Sequence, residues 1–476
     1  MAIDRQRLER IVADVLKSAG TAGAGTPAEV TFQSGESDGL FETMEEAVES
    51  AFVAQKELAA LSLDKRGEII TAMRRAGEEN AEALAKSAIA ETRMGREEHK
   101  RLKNLLAATK TPGMEDLPRR LKVGANGSLL EDGGPFGVIA AITPVTNPTS
   151  TVINNSISMV CAGNSVVFCP HPQAQRCTSE AMVVMNRAIQ SAGGPPNVLT
   201  SVRESSLRST VVAMKHEKTA LVCATGGGAV VRAALESGKK AIAAGPGNPP
   251  VLVDENVDDM RKVARDIVEG AYLDNNMPCT DEKEIIVLDK VAPELIRELK
   301  NHDAHLISPS EEPRMTRTIV QDGKINRAFI GQDAADILGE CGITAPASTK
   351  IGFFETDANH PLVQEEQLLP IIPLVRARSF SQGVEIACRV EHGFQHTAVI
   401  HSANIQRVTE FARAIKCTVF VANAPSYAWA GKEGEGWTTL TIAGPSSGEG
   451  LTSARTFTRR HYLIVSGALN PFARAG

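Results

Sequence analysis

The sequence has few of the features that mark several large classes of protein. Its 51 Lys and Arg are outnumbered by 57 Asp and Glu, so the basic excess that a nucleic-acid groove requires is absent. No stretch approaches about 18 consecutive apolar residues, and the N-terminus, MAIDRQRLER, has charges where a signal peptide needs its apolar run. We therefore expect no nucleic-acid partner, no membrane-spanning segment and no secretion.

The eight cysteines contain no CxxC pair, and a chain of 476 residues does not need disulfides to fold. Reduced thiols in the cytoplasm are therefore expected. Most of them lie in apolar helical or strand patterns, where packing is the expected role. This group comprises Cys161, Cys169, Cys223, Cys388 and Cys417.

Cys279 is different, because it lies in the polar and non-periodic string DNNMPCTDEKE. Pro278 constrains the backbone, so the thiol is presented from a fixed loop just before a predicted strand. A thiol is intrinsically nucleophilic and needs only a modest fall in pKa to become active. Cys279 is therefore the candidate nucleophile.

Composition is otherwise that of a folded globular protein, with 42% hydrophobic and 23% charged residues. Short β-rich runs separated by helical patterns occur in two series, which predict two α/β lobes with parallel sheets. A hairpin with an Asn126-Gly127 turn signal is predicted over 121–136. The predicted strands are 137–143, 165–169, 197–202 and 219–225 in the first series, and 284–289, 372–375, 397–402 and 417–423 in the second.

Residues 1–18 form a separate amphipathic unit, in which Leu8, Ile11, Val12 and Val15 recur at three- and four-residue spacing. A flexible Gly/Ala/Thr/Pro linker follows over 19–29. Periodicity alone leaves open whether this helix docks on a partner or folds back on its own domain.

Three glycines, Gly226, Gly227 and Gly228, stand between a predicted strand and a predicted helix. Such a junction lets a phosphate approach the backbone at a helix N-terminus. The spacing is not GxGxxG, because Val231 occupies the third position, so a plain tight turn is an equal alternative.

Three histidines occur in EHGFQHTAVIHS, at positions 392, 396 and 401. No Cys or Asp completes a recognisable metal-ligand set, so an acid/base or structural role is expected for His392 and His396 rather than metal binding.

Several long strings are spread in order along the chain. They are ITPVTNPT, INNSI, FCPHP, ATGGGAVV, SGKKAIAAGPGNPPVLVDE, DNNMPCTDEKE, EHGFQHTA and GEGWTTLTIAGPSSGEGLTSARTFTRR. Together they resemble the CoA-acylating aldehyde dehydrogenases of bacterial microcompartments, the propionaldehyde and acetaldehyde type. The resemblance implies an aldehyde dehydrogenase-like α/β fold of two Rossmann-like lobes with a small β oligomerisation extension.

The resemblance also implies a division of the chain and its partners. The cofactor-binding lobe would comprise 30–120 and 137–245, the catalytic lobe 246–454, and the oligomerisation extension 121–136 and 455–476. The extension would build a homodimer or homotetramer. The helix over 1–18 would be a targeting peptide that binds a microcompartment shell or core protein, which places the chain in the microcompartment lumen.

By the same resemblance, Cys279 attacks a short-chain aldehyde, NAD accepts the hydride, and coenzyme A takes the acyl group. The Cys279 N–H and a side chain from Thr146-Asn147 would supply the oxyanion contacts. An ungapped overlay of ITPVTNP on the hydrolytic family's TPWNFP puts Thr146 at the Asn position, but Asn147 is the expected contact, with Thr146 as its alternative. His396 is the expected general base for the CoA thiol, with a structural hydrogen bond as its alternative role, and Glu366 would hold the nicotinamide ribose. The residues expected to line the cofactor site are Thr143, Pro144, Thr146, Pro170, His171, Thr225, Gly226, Gly227, Gly228, Val231, Ala244, Gly245 and Glu366.

Two departures from hydrolytic aldehyde dehydrogenases matter. Their general-base Glu falls on Ala244 when their motif is laid over AAGPGNPP, so no carboxylate is expected to activate water. Their adenosine-binding Lys and Glu are replaced within Cys169-Pro-His-Pro172. The alternatives are a hydrolytic or phosphorylating aldehyde dehydrogenase, or a non-catalytic microcompartment-associated protein.

Overall fold

The computed structural model of the chain describes residues 38–444 and 446–467. The predicted targeting helix over 1–18 and the linker over 19–29 lie outside the described residues, and both stay predictions. Within the described part of the chain, no helix combines the length and the apolar character needed to cross a bilayer.

The first lobe is built on a six-stranded parallel sheet of order β1-β6-β5-β4-β7-β8. The chain reverses its direction of winding at β4, so the switch point of this doubly wound sheet lies between β4 and β7. The strands are β1 Leu40–Phe41, β4 Val138–Ile142, β5 Ser165–Cys169, β6 Leu199–Val202, β7 Thr219–Thr225 and β8 Lys240–Ala244.

Strand β4 shows why this sheet is buried. Ile139 and Ala141 pack into the core on one face, whereas Val138, Ala140 and Ile142 pack into the core on the other. Apolar residues on both faces are what a parallel strand between two helix layers requires. The lobe's helices are α1 Met44–Ala60, α2 Leu63–Glu79, α3 Ala81–Thr92, α4 Glu97–Lys110, α5 Pro148–Cys161, α6 Gln175–Ser191, α7 Leu207–Lys215 and α8 Gly228–Leu235.

The second lobe contains a seven-stranded parallel sheet of order β11-β14-β15-β10-β9-β16-β17. Its strands are β9 Pro250–Val253, β10 Glu284–Leu288, β11 Ala304–Leu306, β14 Ile351–Thr356, β15 Ile371–Ala377, β16 Thr397–His401 and β17 Val419–Ala422. Its helices are α9 Met260–Tyr272, α10 Ala292–Lys300, α11 Glu312–Ile319, α12 Ala334–Glu340, α13 Pro361–Gln364, α14 Phe380–Val390 and α15 Ile405–Ile415. The predicted α/β class with two parallel-sheet lobes is thus confirmed.

A separate three-stranded antiparallel sheet, of order β2-β3-β20, joins Arg119–Gly124, Gly127–Pro135 and Thr458–Ser466. The predicted hairpin is present, but it begins two residues earlier and ends one residue earlier than expected. Gly124 pairs with Gly127, so the turn residues are Ala125 and Asn126, and Gly127, with φ of 125°, opens the returning strand. Two small antiparallel pairs, β12 Val320–Gln321 with β13 Lys324–Ile325 and β18 Ile442–Ala443 with β19 Gly450–Leu451, were not predicted.

Candidate active site

The two large sheets contribute loops from opposite ends of their strands. In the first lobe, the candidate residues follow the carboxyl ends of β4, β5, β7 and β8, where α/β sheets bind ligands. In the second lobe, Gly247, Cys279, Glu366 and His396 stand before the amino ends of β9, β10, β15 and β16.

Two buried lysines of α4 connect the loop after β4 to the segment that leads to Cys279. Lys100 Nζ donates to Thr146 O at 3.0 Å and to Asp274 Oδ2 at 2.9 Å. Lys103 Nζ donates to Asn147 Oδ1 and to the same Asp274 oxygen. Burial alone would raise the pKa of Asp274, but the two lysines outweigh it and hold the pKa at about 2. Asp274 is therefore a carboxylate anchor shared by both loops.

The oxyanion candidate Asn147 lies part-buried immediately before α5, which begins at Pro148. Its Oδ1 faces Lys103, so the amide orientation is set, and its Nδ2 donates to Thr146 Oγ1 at 3.1 Å. An amide nitrogen carries two hydrogens, so Nδ2 keeps a second donor for a substrate oxygen. This arrangement favours Asn147 over Thr146 as the oxyanion contact.

The segment before Cys279 has an unusual backbone. Asp274, Asn275 and Asn276 are consecutive and have φ of 48°, 57° and 62°. Each left-handed residue costs about 1 kcal/mol or more, and such conformations persist only where surrounding contacts over-determine them. Asn275 Nδ2 donates to Gly331 O at 2.9 Å, and Asn276 Nδ2 donates to Glu282 O at 2.8 Å. The loop is thus held in one conformation before substrate arrives.

Gly247 allows Cys279 and His396 to meet. A Cβ atom at Gly247 would lie 2.7 Å from the Cys279 carbonyl oxygen and 3.0 Å from His396 Cγ, so a larger residue cannot fit without displacement. The Gly247 N–H donates to Glu366 Oε1 at 3.2 Å. The structure therefore brings together three of the predicted site residues around one glycine that the prediction did not include.

The thiol of Cys279 is part-buried. Burial and then the charge of Glu366 raise its pKa to about 12, against an opposing effect of Lys283. The modest fall in pKa that activation would require is thus not seen in this structure, and the thiol is protonated at neutral pH.

His396 is 3% exposed and stands at the entry to β16. Its N–H donates to Glu391 Oε1 at 2.9 Å, and its Nδ1 is 2.8 Å from Thr397 Oγ1. Nε2 has no hydrogen-bond partner within 38–444 and 446–467. Burial, with a smaller effect of Lys283, lowers the pKa of His396 from the ordinary 6.5 to about 4. The imidazole is neutral at neutral pH, and with the proton on Nδ1 its Nε2 lone pair can accept one.

The glycine loop leaves space for a ligand. Gly227 and Gly228 are exposed at the start of α8, and a Cβ atom built on either would meet no atom within 4 Å. A helix N-terminus with unobstructed backbone fits a phosphate group, so the residues present fit NAD.

Other predicted cofactor residues of this lobe make hydrogen bonds and packing contacts within the protein. Gly226 N–H donates to Ala244 O at 3.1 Å, and a Cβ at Gly245 would make an ordinary contact with Val231 at 3.7 Å. Thr225 Oγ1 is 3.0 Å from Thr441 Oγ1, so in this structure its hydroxyl is engaged within the protein.

The loops after β4 and β5 are adjacent. Thr143 N–H donates to Cys169 O at 3.2 Å, and Pro144 follows at the part-buried start of the loop. Pro170 O accepts a hydrogen bond from Ser205, and His171 Nδ1 accepts one from the Gln173 N–H at 3.2 Å. Burial, and then the charge of Arg327 from the other lobe, lower the pKa of His171.

Other cysteines and histidines also have clear placements. Cys388 and Cys417 are part-buried and pack against the core of the second lobe, in agreement with the expected packing role. His392 is exposed and its Nε2 is 2.8 Å from Gln364 O. In the part of the chain that the structure describes, no group of three His, Cys, Asp or Glu residues is arranged to hold a metal ion.

Comparison with known proteins agrees with this geometry. A profile described as the aldehyde dehydrogenase family matches residues 30–324. The acetaldehyde dehydrogenase (acetylating) EutE of Escherichia coli K12 is 41% identical over 470 residues, covering 97% of this chain and 98% of its own. The chain belongs to the aldehyde dehydrogenase family.

Solved structures of this family show the same fold. A propionaldehyde dehydrogenase from the fucose utilisation microcompartment of Clostridium phytofermentans has a TM-score of 0.89 and 46% identity, covering 90% of this chain and 99% of its own. One from Rhodopseudomonas palustris, solved with bound CoA and an acylated cysteine, has a TM-score of 0.89 and 43% identity, covering 91% and 99%. The predicted resemblance to CoA-acylating members of the family is confirmed.

Residues that sequence reasoning missed lie mostly behind the reacting groups. Lys103 and Asp274 fix the Asn147 loop, and Thr397 contacts the His396 ring. Lys283 donates to the carbonyl oxygen of Pro278, the residue before Cys279. One signal was available: TDEKE places four charged residues directly before and at the start of an apolar strand, which is an unusual position for charges.

Proposed function

We propose that this chain oxidises a short-chain aldehyde to its acyl-CoA, with NAD and CoA as co-substrates, through a thioester on Cys279. The observation that carries this proposal is that the Cys279 main chain and the ring of a neutral, buried His396 both lie against Gly247, in a loop whose own residues include no carboxylate. Both residues that end β8, Ala243 and Ala244, are alanines, so an overlay shifted by one residue leads to the same conclusion.

In the first half-reaction, the Cys279 thiol gives up its proton to solvent, and the resulting Sγ thiolate forms a bond to the aldehyde carbon. The electron pair of the C=O π bond moves to the carbonyl oxygen, which gains the negative charge. The Asn147 amide and the Cys279 N–H donate to that oxygen, and one such donor is worth about 3 kcal/mol. When NAD is bound, its nicotinamide accepts the hydride that leaves this carbon. The carbonyl re-forms as a thioester on Cys279. Glu366, which accepts the Gly247 N–H, would hold the nicotinamide ribose.

In the second half-reaction, the CoA sulfur attacks the thioester carbon and Cys279 leaves as a thiolate. The proton of the CoA thiol passes to His396 Nε2, the ring nitrogen without a partner among the described residues. Thr397 Oγ1 accepts from Nδ1–H and so keeps the lone pair on Nε2. Hydrolysis is the competing fate, and it lacks a carboxylate at the end of β8 to activate water.

The decisive experiment follows NADH formation from propionaldehyde with and without CoA, for the wild type and for Cys279→Ser. We expect sustained turnover only with CoA, and a loss of at least about a thousandfold in Cys279→Ser. Equal rates with and without CoA would instead establish the hydrolytic reading, and no turnover with any aldehyde would establish a non-catalytic role.

The role of His396 is tested separately. In His396→Ala, single-turnover NADH formation should stay near the wild-type level while steady-state acyl transfer to CoA slows by about a hundredfold. An equal fall in both would show that His396 acts before acyl transfer.

The β2-β3-β20 sheet supports a dimer-based oligomer. Leu121, Leu130 and Leu463 align across its three strands, and Leu121 and Leu463 are 66% and 59% exposed. Exposed apolar patches of this kind mark association surfaces. Leu463→Asp should shift the chain toward the monomer in size-exclusion chromatography with light scattering, whereas an unchanged mass would exclude this surface.

The helix predicted over 1–18 supports location in a microcompartment lumen, by binding a shell or core protein. Deleting residues 1–29 should leave the specific activity unchanged and abolish co-purification with intact microcompartments. Retention of the shortened chain in them would assign targeting to another segment.

A further inference from the structure

We call residues 274–279 the cysteine loop. Four consecutive charged residues lie fully buried where this loop leads into strand β10 of the second lobe. Asp281, Glu282, Lys283 and Glu284 each have 0% exposed surface. Charged side chains are almost never fully buried unless they are paired, because leaving water costs several kcal/mol for each ion. The two half-reactions described above do not use these four charged residues, so their burial requires another explanation.

Burial lowers the pKa of Lys283, but its hydrogen bonds favour the charged form. Its Nζ donates to Asn276 O at 2.5 Å, to Asn276 Oδ1 and to Pro278 O at 3.1 Å. A neutral amine has two hydrogens, whereas an ammonium has three. Three oxygen acceptors therefore select the ammonium, and two of them are main-chain carbonyls of the segment that ends at Cys279.

The neighbouring acids form no ion pair with Lys283 among the residues that the structure describes. Asp281 and Glu284 have no hydrogen-bond partner in that part of the chain, and burial raises the pKa of both well above the ordinary range. Burial therefore disfavours the charged form of both carboxyls. Glu282 instead accepts hydrogen bonds from the N–H and Oγ of Ser426, both at 2.7 Å.

Lys283 contacts both the backbone of the cysteine loop and the segment that carries the Glu366 carboxylate. Its ammonium pins the last left-handed residue, Asn276, and the proline before the nucleophile. Its own carbonyl accepts a hydrogen bond from Gln367 at 2.6 Å, and Gln367 is adjacent to Glu366. A single buried cation thus joins the cysteine loop to the segment that carries the proposed ribose contact.

We propose that Lys283 is the positioning residue of the cysteine loop and the buried positive charge that favours the Cys279 thiolate. This inference rests on the proposed role of Cys279 as nucleophile. Cations close to a thiol stabilise its ionised form, and a low-dielectric surrounding strengthens the effect.

The groups that face Cys279 have opposite effects on it. Burial and the carboxylate of Glu366 raise the pKa of the thiol, Lys283 lowers it, and Asp281 contributes a smaller rise when ionised. His396, which lies across Gly247, is neutral. Lys283 is the one cation in this set.

The test measures the rate of alkylation of Cys279 by iodoacetamide between pH 6 and pH 10, without aldehyde, NAD or CoA. Labelling at Cys279 is followed by peptide mass spectrometry. Below the midpoint the rate is proportional to the thiolate fraction, so a rise of one pKa unit slows alkylation tenfold. We expect Lys283→Met to react at least tenfold more slowly at pH 8, and Lys283→Arg to stay within about threefold of the wild type. An unchanged rate and pH profile in Lys283→Met would overturn the proposal.

Lys283→Gln keeps hydrogen-bond donors without the charge, and it carries the test if Lys283→Met does not fold. Slow alkylation of Lys283→Gln would support the effect of the Lys283 charge on the Cys279 thiolate, and alkylation at the wild-type rate would contradict it. Glu366→Gln supplies the opposite sign, since removing a carboxylate should speed alkylation at pH 8 by several-fold; no change there would overturn the electrostatic account. The proposed function fails by a different result, namely wild-type enzyme that keeps its CoA-dependent NADH formation after Cys279 is alkylated.

Discussion

The glycine loop after β7 and the cysteine loop before β10 belong to the same site but are built in opposite ways. Gly227 and Gly228 are exposed, and side chains added there would touch nothing. The cysteine loop, by contrast, is fixed by hydrogen bonds with α4, with Gly331 and with Lys283. The glycine loop is open to a ligand, whereas the cysteine loop is fixed by contacts with the rest of the protein.

The difference teaches which part of the site carries the chemistry. A loop that contacts a phosphate needs only backbone N–H groups and space, so glycine suffices. A nucleophile must be placed to within fractions of an ångström, and that requires a supporting layer. Substitutions in the cysteine loop should therefore reduce the rate constant, whereas those in the glycine loop should reduce cofactor affinity.

Among the substitutions that test the division between the two loops, the largest effect is expected from Gly247→Ala. The new methyl group would stand 2.7 Å from Cys279 O and 3.0 Å from the His396 ring, so one of these proposed catalytic groups must move. Displacements near 1 Å cost about a hundredfold in rate, and we expect kcat to fall by that order, measured as CoA-dependent NADH formation.

Gly339→Ala is the matched control for that substitution. Its Cβ would meet no atom within 4 Å and it lies in α12, so kcat and Tm should stay at or slightly above the wild-type values. If Gly247→Ala kept the wild-type kcat, contact between the cysteine loop and His396 would not matter for the reaction.

An intermediate effect is expected from Gly227→Val in the glycine loop. Its φ of −62° suits any L residue and its Cβ would meet open space, so the Tm should not change. The side chain would instead obstruct a phosphate, and we expect the KM for NAD to rise by about tenfold with kcat nearly unchanged. A fall in kcat at saturating NAD would mean that the two loops do not divide their roles as proposed.

The sequence patterns predicted local features of the fold well. The strands Ser165–Cys169 and Thr219–Thr225 have the predicted bounds, because continuous β-branched and apolar runs between breaks define a buried parallel strand. Cys279 was also identified from local pattern, since a thiol in a polar loop has no packing role. The hairpin bounds differed by one or two residues, as strand ends depend on pairing with β20, which is distant in sequence.

The supporting layer of the site could not be predicted in this way. Nothing in the letters DNN dictates three left-handed residues, because that conformation depends on contacts with Gly331 and Glu282. The burial of Lys283 contradicts the usual position of lysine at the surface. The pKa shifts of Cys279 and His396 could likewise not be predicted from sequence, because burial in the folded lobe opposes both charged forms.

The smallest effect concerns the pH dependence of stability, through Glu282. Burial raises the pKa of this carboxyl from 4.5 to about 7, and Gly270 leaves the room it occupies, since a Cβ there would lie 2.1 Å from Glu282 Oε2. Between about pH 4.5 and 7 the folded state holds a proton that the unfolded chain has lost, so this contribution to stability is lost as pH rises through that window.

Glu282→Gln has no such proton to lose, and its amide can accept from Ser426 N–H while donating to Ser426 Oγ. The Tm of the variant relative to the wild type should therefore increase between pH 5 and pH 8 by on the order of 5 °C, measured by differential scanning fluorimetry. A difference in Tm that is constant across this range would show that Glu282 keeps the same protonation state in the folded and unfolded chains.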